Sequence, residues 1–172
     1  YPDHYVQSPE RHPMQYLATQ IKSLALGAKF IGVEMDNYWL SAAAYQALQK
    51  DLPNSTFKDA TGLVNWQSAI KSPAELAYMR QAGQIVGRMH ERIRECAKVG
   101  IRKCDLFADI YDAASRFNLE IGSGGDYPAL VPLLPSGPDA AAPHLTWDDQ
   151  PLKEGKSTFF EISGVVHRDH CP

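Results

Sequence analysis

The sequence predicts an α/β fold of the α+β type, built as two successive units, and three observations support it. Segments with apolar residues at helical spacing alternate with short strand-like runs through the first seventy residues. The stretch from Lys71 to Glu75 contains the strongest helix-start signal in the chain. A long amphipathic helix, a second helix and several extended segments follow this start, so we expect a new unit to begin there.

The first unit is expected to contain three helices and two strands. Pro13 suits the first turn of a helix because its missing N–H costs nothing there, and Gly27 is expected to end that helix. The apolar run Phe30–Val33 predicts a buried strand. The other expected elements are helices at Leu40–Leu48 and Leu63–Ile70 and a short strand that begins with Thr56 and Phe57.

The second unit is expected to begin with a helix of about seven turns. Ser72 can cap this helix, Pro73 fits its first position, and Glu75 completes a capping box. Apolar residues recur along one face, and two glycines, Gly83 and Gly87, predict a thin face that another helix could approach. The apolar face consists of Leu76, Met79, Ala82, Val86, Met89, Ile93 and Cys96.

Three further elements are expected after this helix. The apolar residues from Leu106 to Phe117 predict a second amphipathic helix. The proline-containing segment Tyr127–Leu134 suits an edge strand. The β-branched and aromatic run Ser157–Ile162 predicts another strand.

Composition excludes several functional classes. The net charge is −3 with both signs interspersed, so no basic surface for nucleic acid or an anionic membrane is expected. No apolar run approaches the roughly 20 residues that a membrane span needs. Three cysteines at unrelated spacings argue against a disulfide framework, so we expect a cytoplasmic protein.

The two ends of the chain predict a longer protein. The chain opens without Met and stops at Pro172, directly after a strand-like run. We therefore expect part of the functional site to lie beyond Pro172.

His144 and Glu161 are the strongest candidates for chemistry in the chain. Small residues precede His144 and leave room for a ligand, and imidazole changes charge near neutral pH, as proton transfer requires. Taken alone, such a histidine is more often structural. Glu161 lies in a mainly apolar run, so we expect it to be half-buried with a cation, a donor or a raised pKa. Asp126 is either a solvated turn residue or an anchor for a cationic ligand.

A metal cluster near the end of the chain is suggested by composition only. His167, Asp169, His170 and Cys171 are all potential ligands. On a regular strand His167 and His170 would point to opposite faces, so joint binding of zinc needs a distortion and is not favoured.

Several segments together resemble the creatinase and aminopeptidase P family, the M24 peptidases with a pita-bread catalytic fold. The sequence Lys-Ser-Pro-Ala-Glu-Leu opens a long helix, and a histidine and a strand led by Gly-Lys and carrying a carboxylate follow. Within that family the chain is most similar to a hydrolase of a small cyclic amidine. The segments that carry this likeness are Gly-Val-Glu-Met-Asp-Asn-Tyr (32–38), Asp-Ala-Thr-Gly-Leu-Val-Asn-Trp (59–66), Gly-Gly-Asp-Tyr-Pro-Ala (124–129), Ala-Pro-His-Leu-Thr-Trp (142–147) and His-Cys-Pro (170–172).

The resemblance implies two domains and a site. Residues 1–70 would be the C-terminal part of a creatinase-like N-terminal domain, and residues 71–172 the first portion of a truncated pita-bread domain that forms homodimers. His144 matches the family's active-site histidine, and Glu161 the position of its first metal-binding aspartate. The second aspartate position is Pro172, which has no donor, so the usual two-metal centre cannot form. A register slip onto Asp169 would need a deletion in the hairpin.

The resemblance therefore implies a hydrolase that needs no cofactor. His144 would act as general base and then acid, and Glu161 would face the substrate cation, with possible covalent participation. Asp126, Tyr127, Trp147 and His170 would shape the substrate pocket, with aromatic faces for a delocalised cation. Two alternatives stay open: an Xaa-Pro aminopeptidase with two divalent ions such as Mn²⁺, and a non-catalytic pita-bread module that binds a peptide or partner protein.

Overall fold

The structure, a computed structural model, describes residues 1–123 and 127–172. It divides into two compact units, Tyr1–Ile70 and Lys71–Pro172. None of the helices in these described ranges combines the length and apolarity that crossing a bilayer requires.

The first unit places three helices around a small parallel sheet. Strands β1 and β2 run parallel, with Phe30 opposite Thr56 and Val33 opposite Asp59. The core is small and is formed by Ala18, Leu48 and Leu52 with Met14, Ile21, Ile31 and Phe57 packed against it. The elements in order are a 3-10 turn at Asp3–Tyr5, α1 (Pro13–Ser23), β1 (Phe30–Val33), α2 (Ala42–Asp51), β2 (Thr56–Asp59) and α3 (Leu63–Ser68).

Strand β1 forms where the sequence predicts it, but the prediction that it is buried is wrong. The side chain of Phe30 is 73% exposed, and exposure alternates along the strand. Only alternate residues of a strand face the same side, and in this strand Ile31 is the residue that packs against the core. The ammonium of Lys58 lies 4.7 Å from the Phe30 ring centroid, on the exposed side.

Helix α1 ends earlier than the sequence predicts. It stops at Ser23, and Ala25, not Gly27, takes the left-handed conformation, with φ of 59°. The N–H of Leu26 donates to the carbonyl of Ile21, and that of Ala25 to the carbonyl of Lys22. This pair of bonds is a Schellman motif, which usually has glycine at the left-handed position.

The other two helices of this unit are confirmed with shifted ends. Helix α2 begins at Ala42 because the hydroxyl of Ser41 accepts a hydrogen bond from the N–H of Ala44 at 3.1 Å. Helix α3 ends at Ser68, two residues before the predicted end at Ile70.

In the second unit, one long helix packs against a second long helix and against a short hairpin. Helix α4 (Pro73–Cys96) begins with the predicted capping box of Ser72 and Glu75. Helix α5 (Lys103–Glu120) follows, then a 3-10 helix at Gly137–Ala141 and strands β3 (Gly164–Val166) and β4 (Asp169–Cys171). The core contains Ala82, Ile85, Val86, Met89, Ile93, Leu106, Ile110, Ala114, Ala129, Leu134, Ile162 and Val166.

The two predicted strands Tyr127–Leu134 and Ser157–Ile162 form only isolated bridges. Leu133 pairs with Glu161, Ala129 with Gly164, and Ser136 with Thr158, all antiparallel. Prolines at positions 128, 132 and 135 lack the N–H that a continuous ladder needs. Regular pairing therefore begins only at the β3–β4 hairpin.

The close backbone approach in this unit occurs at Gly164 and not at the two helical glycines. A Cβ atom at Gly164 would overlap the carbonyl oxygen of Ala82 on α4. Among the described residues, Gly83 faces the sulfur of Cys171 on β4, whereas a Cβ atom at Gly87 would meet nothing within 4 Å apart from its own helical backbone. The predicted approach of another helix to both glycines is therefore wrong: within the described ranges Gly83 alone meets a second element, which is strand β4, and Gly87 is exposed.

Replacing Ala25 by glycine is expected to stabilise the protein by about 0.5–1 kcal/mol. Alanine in a left-handed conformation carries a steric cost that glycine does not, and this gain exceeds the extra entropy of glycine in the unfolded chain. Urea unfolding of the two proteins measures the difference. Ala43→Gly is the control, because Ala43 is an exposed helical residue and its replacement should destabilise. An Ala25→Gly protein less stable than the parent would contradict the expectation.

Candidate active site

His144 is presented on an exposed segment that follows the 3-10 helix Gly137–Ala141. Its backbone has φ of 59°, a left-handed conformation that is uncommon outside glycine and in which histidine is among the enriched residues. The side chain is 76% exposed. Residues held in such sparsely populated conformations cluster at active sites, so the geometry supports a functional role for this imidazole.

Glu161 faces His144 across a short gap. Its Oε1 atom lies 3.7 Å from Nε2 of His144. The backbone of Glu161 is held by two hydrogen bonds with Leu133, one in each direction, at 3.0 and 3.2 Å. An imidazole and a carboxylate therefore meet at one place from segments that are seventeen positions apart in the chain.

The prediction that Glu161 is half-buried is wrong. Its side chain is 63% exposed. Neighbouring side chains in an extended segment point to opposite sides, and Ile162 is the one that enters the core. Glu161 is therefore directed to solvent, where a carboxylate is available to a ligand without a burial cost.

Two surface depressions share Glu161 as a common wall. The first, of about 390 Å³, contains His144 and is lined by Pro135, Ala140, Ala141, Ala142, Pro143, Phe159 and Phe160. The second, of about 350 Å³, contains His170 and Pro172 and is lined by Leu130, Val131, Leu133, Ile162 and Ser163. Each depression thus combines apolar walls with one imidazole and access to the same carboxylate.

Tyr127 and His170 form a second polar pair. The Tyr127 hydroxyl lies 3.1 Å from Nε2 of His170, and the tautomer of the ring decides which of the two donates. The rings meet edge to face, with centroids 6.0 Å apart. The structure therefore brings two of the predicted substrate-binding residues together. Asp126, which directly precedes Tyr127, lies outside the described residues.

Trp147 is not among the residues that line either depression. Its ring stacks on Phe107 of α5, with centroids 4.0 Å apart and an angle of 21° between the planes. One of its faces is therefore covered by another ring. Because Trp147 is still 41% exposed, the prediction that it offers a face to a cation stays a prediction.

Lys103 is a buried residue of this region that sequence reasoning did not identify. Its side chain is 5% exposed, and its Nζ atom lies 2.6 Å from Oδ2 of Asp148, which is 43% exposed. The Lys103 ammonium lowers the pKa of the Asp148 carboxyl below its ordinary value. Sequence offers no signal for this pair, because lysine at a helix start is usually solvated.

The residues present do not fit the two-metal centre that the resemblance would imply. Glu161 and Pro172 line the same depression, so the two family ligand positions do meet, but only Glu161 has a donor atom. The hairpin register places Asp169 opposite Val166 across a two-residue turn, which leaves no residue to delete. No group of three or more His, Cys, Asp or Glu side chains within the described ranges is arranged to hold a metal ion.

Two potential metal ligands near the end of the chain, His167 and His170, contact different residues. His167 occupies the turn of the hairpin, and its ring packs against the edge of Tyr78 at 4.8 Å between centroids. His170 is paired with Tyr127. The imidazoles of His167 and His170 thus contact different tyrosines, and these contacts do not bring the two rings together as ligands of one metal ion.

Comparison with known proteins identifies the family. The model of metallopeptidase family M24 matches residues 77–171, and the model of the creatinase/prolidase N-terminal domain matches residues 2–70. The chain belongs to metallopeptidase family M24. This assignment confirms the resemblance to the creatinase and aminopeptidase P family that the sequence segments indicate.

Two curated relatives are similar to this M24 chain over its whole length. Ectoine hydrolase of Halomonas elongata is 53% identical over 180 residues, covering 100% of this chain and 44% of that protein. The uncharacterized hydrolase/peptidase y4tM of Sinorhizobium fredii is 42% identical over 172 residues, covering 100% of this chain and 43% of that protein. The chain thus spans less than half the length of these relatives.

Solved structures of the family share the fold. Xaa-Pro dipeptidase from Bacillus anthracis matches with a TM-score of 0.67 and 21% identity over 92% of this chain and 42% of that chain. A prolidase from Pyrococcus horikoshii matches with a TM-score of 0.68 and 18% identity over 94% and 45%. These matches, with the two family models, confirm the predicted fold class: a creatinase-like N-terminal α/β region followed by the first part of a pita-bread domain.

Replacing Asp148 by asparagine is expected to destabilise the protein in a pH-dependent way. Because the folded pKa of Asp148 is lowered, its contribution is fully present above the unfolded pKa of about 3.9 and is lost as pH falls through the folded value. The two proteins should therefore differ in urea unfolding at pH 6 and converge toward pH 2. Asp149→Asn, which changes the neighbouring carboxylate, is the control. A difference that does not depend on pH would contradict this explanation.

Proposed function

We propose that the protein carrying this chain is a hydrolase that opens the cyclic amidine ring of ectoine, in ectoine catabolism. The product would be a ring-opened N-acetyl-diaminobutyrate. Two findings support the proposal: 53% identity to an ectoine hydrolase along the whole chain, and the pairing of His144 with Glu161. The pair carries the proposal, because it supplies a proton carrier and an anion at one surface.

The chemistry of an amidinium fits such a pair. Ectoine is a cyclic amidinium that also carries a carboxylate, so its ring contains a planar, electron-poor carbon. Water can add to this carbon, and the tetrahedral intermediate then loses one ring nitrogen, which leaves an amide and an amine. The substrate carries its own positive charge, so a Lewis acid is not required to polarise the carbon.

His144 would move the protons of this reaction. It would accept a proton from the attacking water and return it to the departing ring nitrogen, so that no net proton is gained or lost. Glu161, 3.7 Å away, would hold the amidinium charge and orient the imidazolium that forms between the two steps. An exposed carboxylate suits this role, because the cation arrives from solvent.

The second depression would receive the rest of the substrate or the water. The hydrogen bond between His170 and Tyr127 orients the imidazole, and His170 lines the same depression as Glu161. Asp126, adjacent to Tyr127 in the chain, remains a candidate for contact with the same cationic ligand. Trp147 also remains a candidate for contact with the substrate, through the part of its ring that Phe107 does not cover.

We further propose that the reaction needs no resident metal ion and that the enzyme is a cytoplasmic homodimer. The proposal that no metal ion is needed is supported by Pro172, which has no metal-binding atom in its side chain and occupies the position of the family's second metal-binding aspartate. Support for the cytoplasm is that all three cysteines are free thiols. The homodimer is implied by the family resemblance.

A metal-dependent Xaa-Pro aminopeptidase is the second candidate function. Xaa-Pro aminopeptidase of Escherichia coli is 25% identical to this chain over 119 residues, and the solved structures of similar fold are named as peptidases. This candidate requires several metal ligands around Glu161, and the described residues contain no group of three or more His, Cys, Asp or Glu arranged to hold a metal ion.

Replacing His144 by alanine is expected to lower kcat for ectoine by about 10²–10⁴-fold, the usual contribution of a general acid–base. His90→Ala is the matched control, because His90 is an exposed imidazole on α4 and should leave kcat unchanged. Ring opening followed by NMR in the whole protein measures both variants. A His144→Ala enzyme with near-normal turnover would remove this residue from the mechanism.

Treatment of the whole protein with a chelator is expected to leave ectoine turnover intact. Ring opening is measured by NMR before EDTA treatment, after it, and again after Mn²⁺ is added. Cleavage of Xaa-Pro peptides that depends on Mn²⁺ would favour the aminopeptidase. Tight peptide binding without turnover of any small amidine would favour the non-catalytic module.

A further inference from the structure

The segment that carries His144 contains no helix or strand of its own. Residues 142–151 are irregular, and residues 143–150 are all exposed. Its position is therefore determined by separate contacts to neighbouring elements. Within residues 1–123 and 127–172, one backbone hydrogen bond joins this segment to the side of Glu161: the N–H of Leu134 donates to the carbonyl of Leu145, directly after His144, at 3.1 Å.

Further contacts with this segment are made by the first turns of α5. The N–H groups of Lys103 and Cys104 donate to the carbonyls of Gln150 and Asp148 at 3.1 and 2.9 Å. The Lys103 side chain pairs with Asp148 at 2.6 Å. Helix α5 thus begins with its free N–H groups bonded to the segment that follows His144.

Two side chains of α5 contact two consecutive residues of the segment. Lys103 binds Asp148, and Phe107 stacks on Trp147. Positions four apart lie on the same face of a helix, so both contacts come from one face of α5. Lys103 is almost completely buried, and a buried lysine persists only where its charge is paired.

We propose that Lys103 and Phe107 are positioning residues that hold His144 at its working distance from Glu161. The proposal rests on the proposed function. Trp147 and Asp148 lie three and four residues after His144. Leu145 bonds to Leu134, the chain neighbour of Leu133, which is the bridge partner of Glu161. The contacts made by Leu145, Trp147 and Asp148 therefore hold the chain within four residues after His144, whose backbone is left-handed.

Loss of the ion pair should affect the chemical step more than substrate binding. In Lys103→Met, Asp148 loses its partner and turns to solvent, and the segment follows it. A displacement of about 1 Å at a catalytic group can cost about 10²-fold in rate. We expect kcat of the whole protein on ectoine to fall 10- to 100-fold, while KM changes less than threefold.

A second variant tests whether the contact between positions 103 and 148 holds the segment even when neither side chain is charged. Lys103→Met combined with Asp148→Leu replaces the pair by two apolar side chains of similar size, a change that proteins often tolerate. The double variant should recover at least tenfold of the lost kcat. Ile110→Ala, a buried residue of α5, controls for loss of stability alone. The proposal is overturned if Lys103→Met lowers kcat no more than this control does, or if the double variant is as slow as the single one.

Hydrogen exchange provides a readout that does not depend on the reaction. The amide of Leu134 is protected by the carbonyl next to His144, so in Lys103→Met it should exchange at least tenfold faster. Unchanged exchange at Leu134, with faster exchange only at Cys104, would show that the disturbance stops before His144 and would overturn the proposal. A parent protein that opens no amidine ring would refute the proposed function, and exchange at Leu134 would still decide the anchoring.

Discussion

The close contact between strand β3 and helix α4 is the constraint on which the second unit depends. Gly164 lies directly against the carbonyl of Ala82, with no room for any side chain between the two backbones. The hairpin is therefore held at a fixed distance from the helix, and Val165 and Val166 are buried. Glu161 lies three residues before this contact, and Cys171 pairs with Gly164 across the hairpin. One close approach thus sets the position of both ends of the depression that contains Glu161 and Pro172.

The site itself is assembled from segments that lack regular secondary structure. Prolines interrupt the pairing of the segments that contain Leu133 and Glu161, so that isolated bridges replace a continuous ladder. His144 has a left-handed backbone on an exposed segment. A few specific contacts, and not a sheet or a helix, therefore determine how the imidazole and the carboxylate meet. In this arrangement the Glu161 side chain is accessible from both of the depressions that it lines.

Local patterns predict the helices of this chain well and burial poorly. The capping box of Ser72 and Glu75 is visible in the sequence because its hydrogen bonds span only three residues. The end of α1 at Ser23, followed by the left-handed Ala25, is not visible in the sequence, because alanine rarely adopts the conformation that glycine favours. The exposure of Glu161 is hidden because an apolar run does not reveal which of two neighbouring side chains faces the core. Lys103 could not be predicted as buried, since its partner lies 45 positions away.

By itself, the sequence determined the five helices and the family, and it indicated His144 and Glu161 as candidate site residues. These properties follow from backbone preferences and motifs that act over a few neighbouring residues. Only the tertiary structure decided that Glu161 faces His144 at 3.7 Å, that Trp147 is covered by Phe107, and that Lys103 is paired with Asp148. Each of these contacts joins residues distant in the chain, and their meeting depends on how α4, α5 and the hairpin pack together.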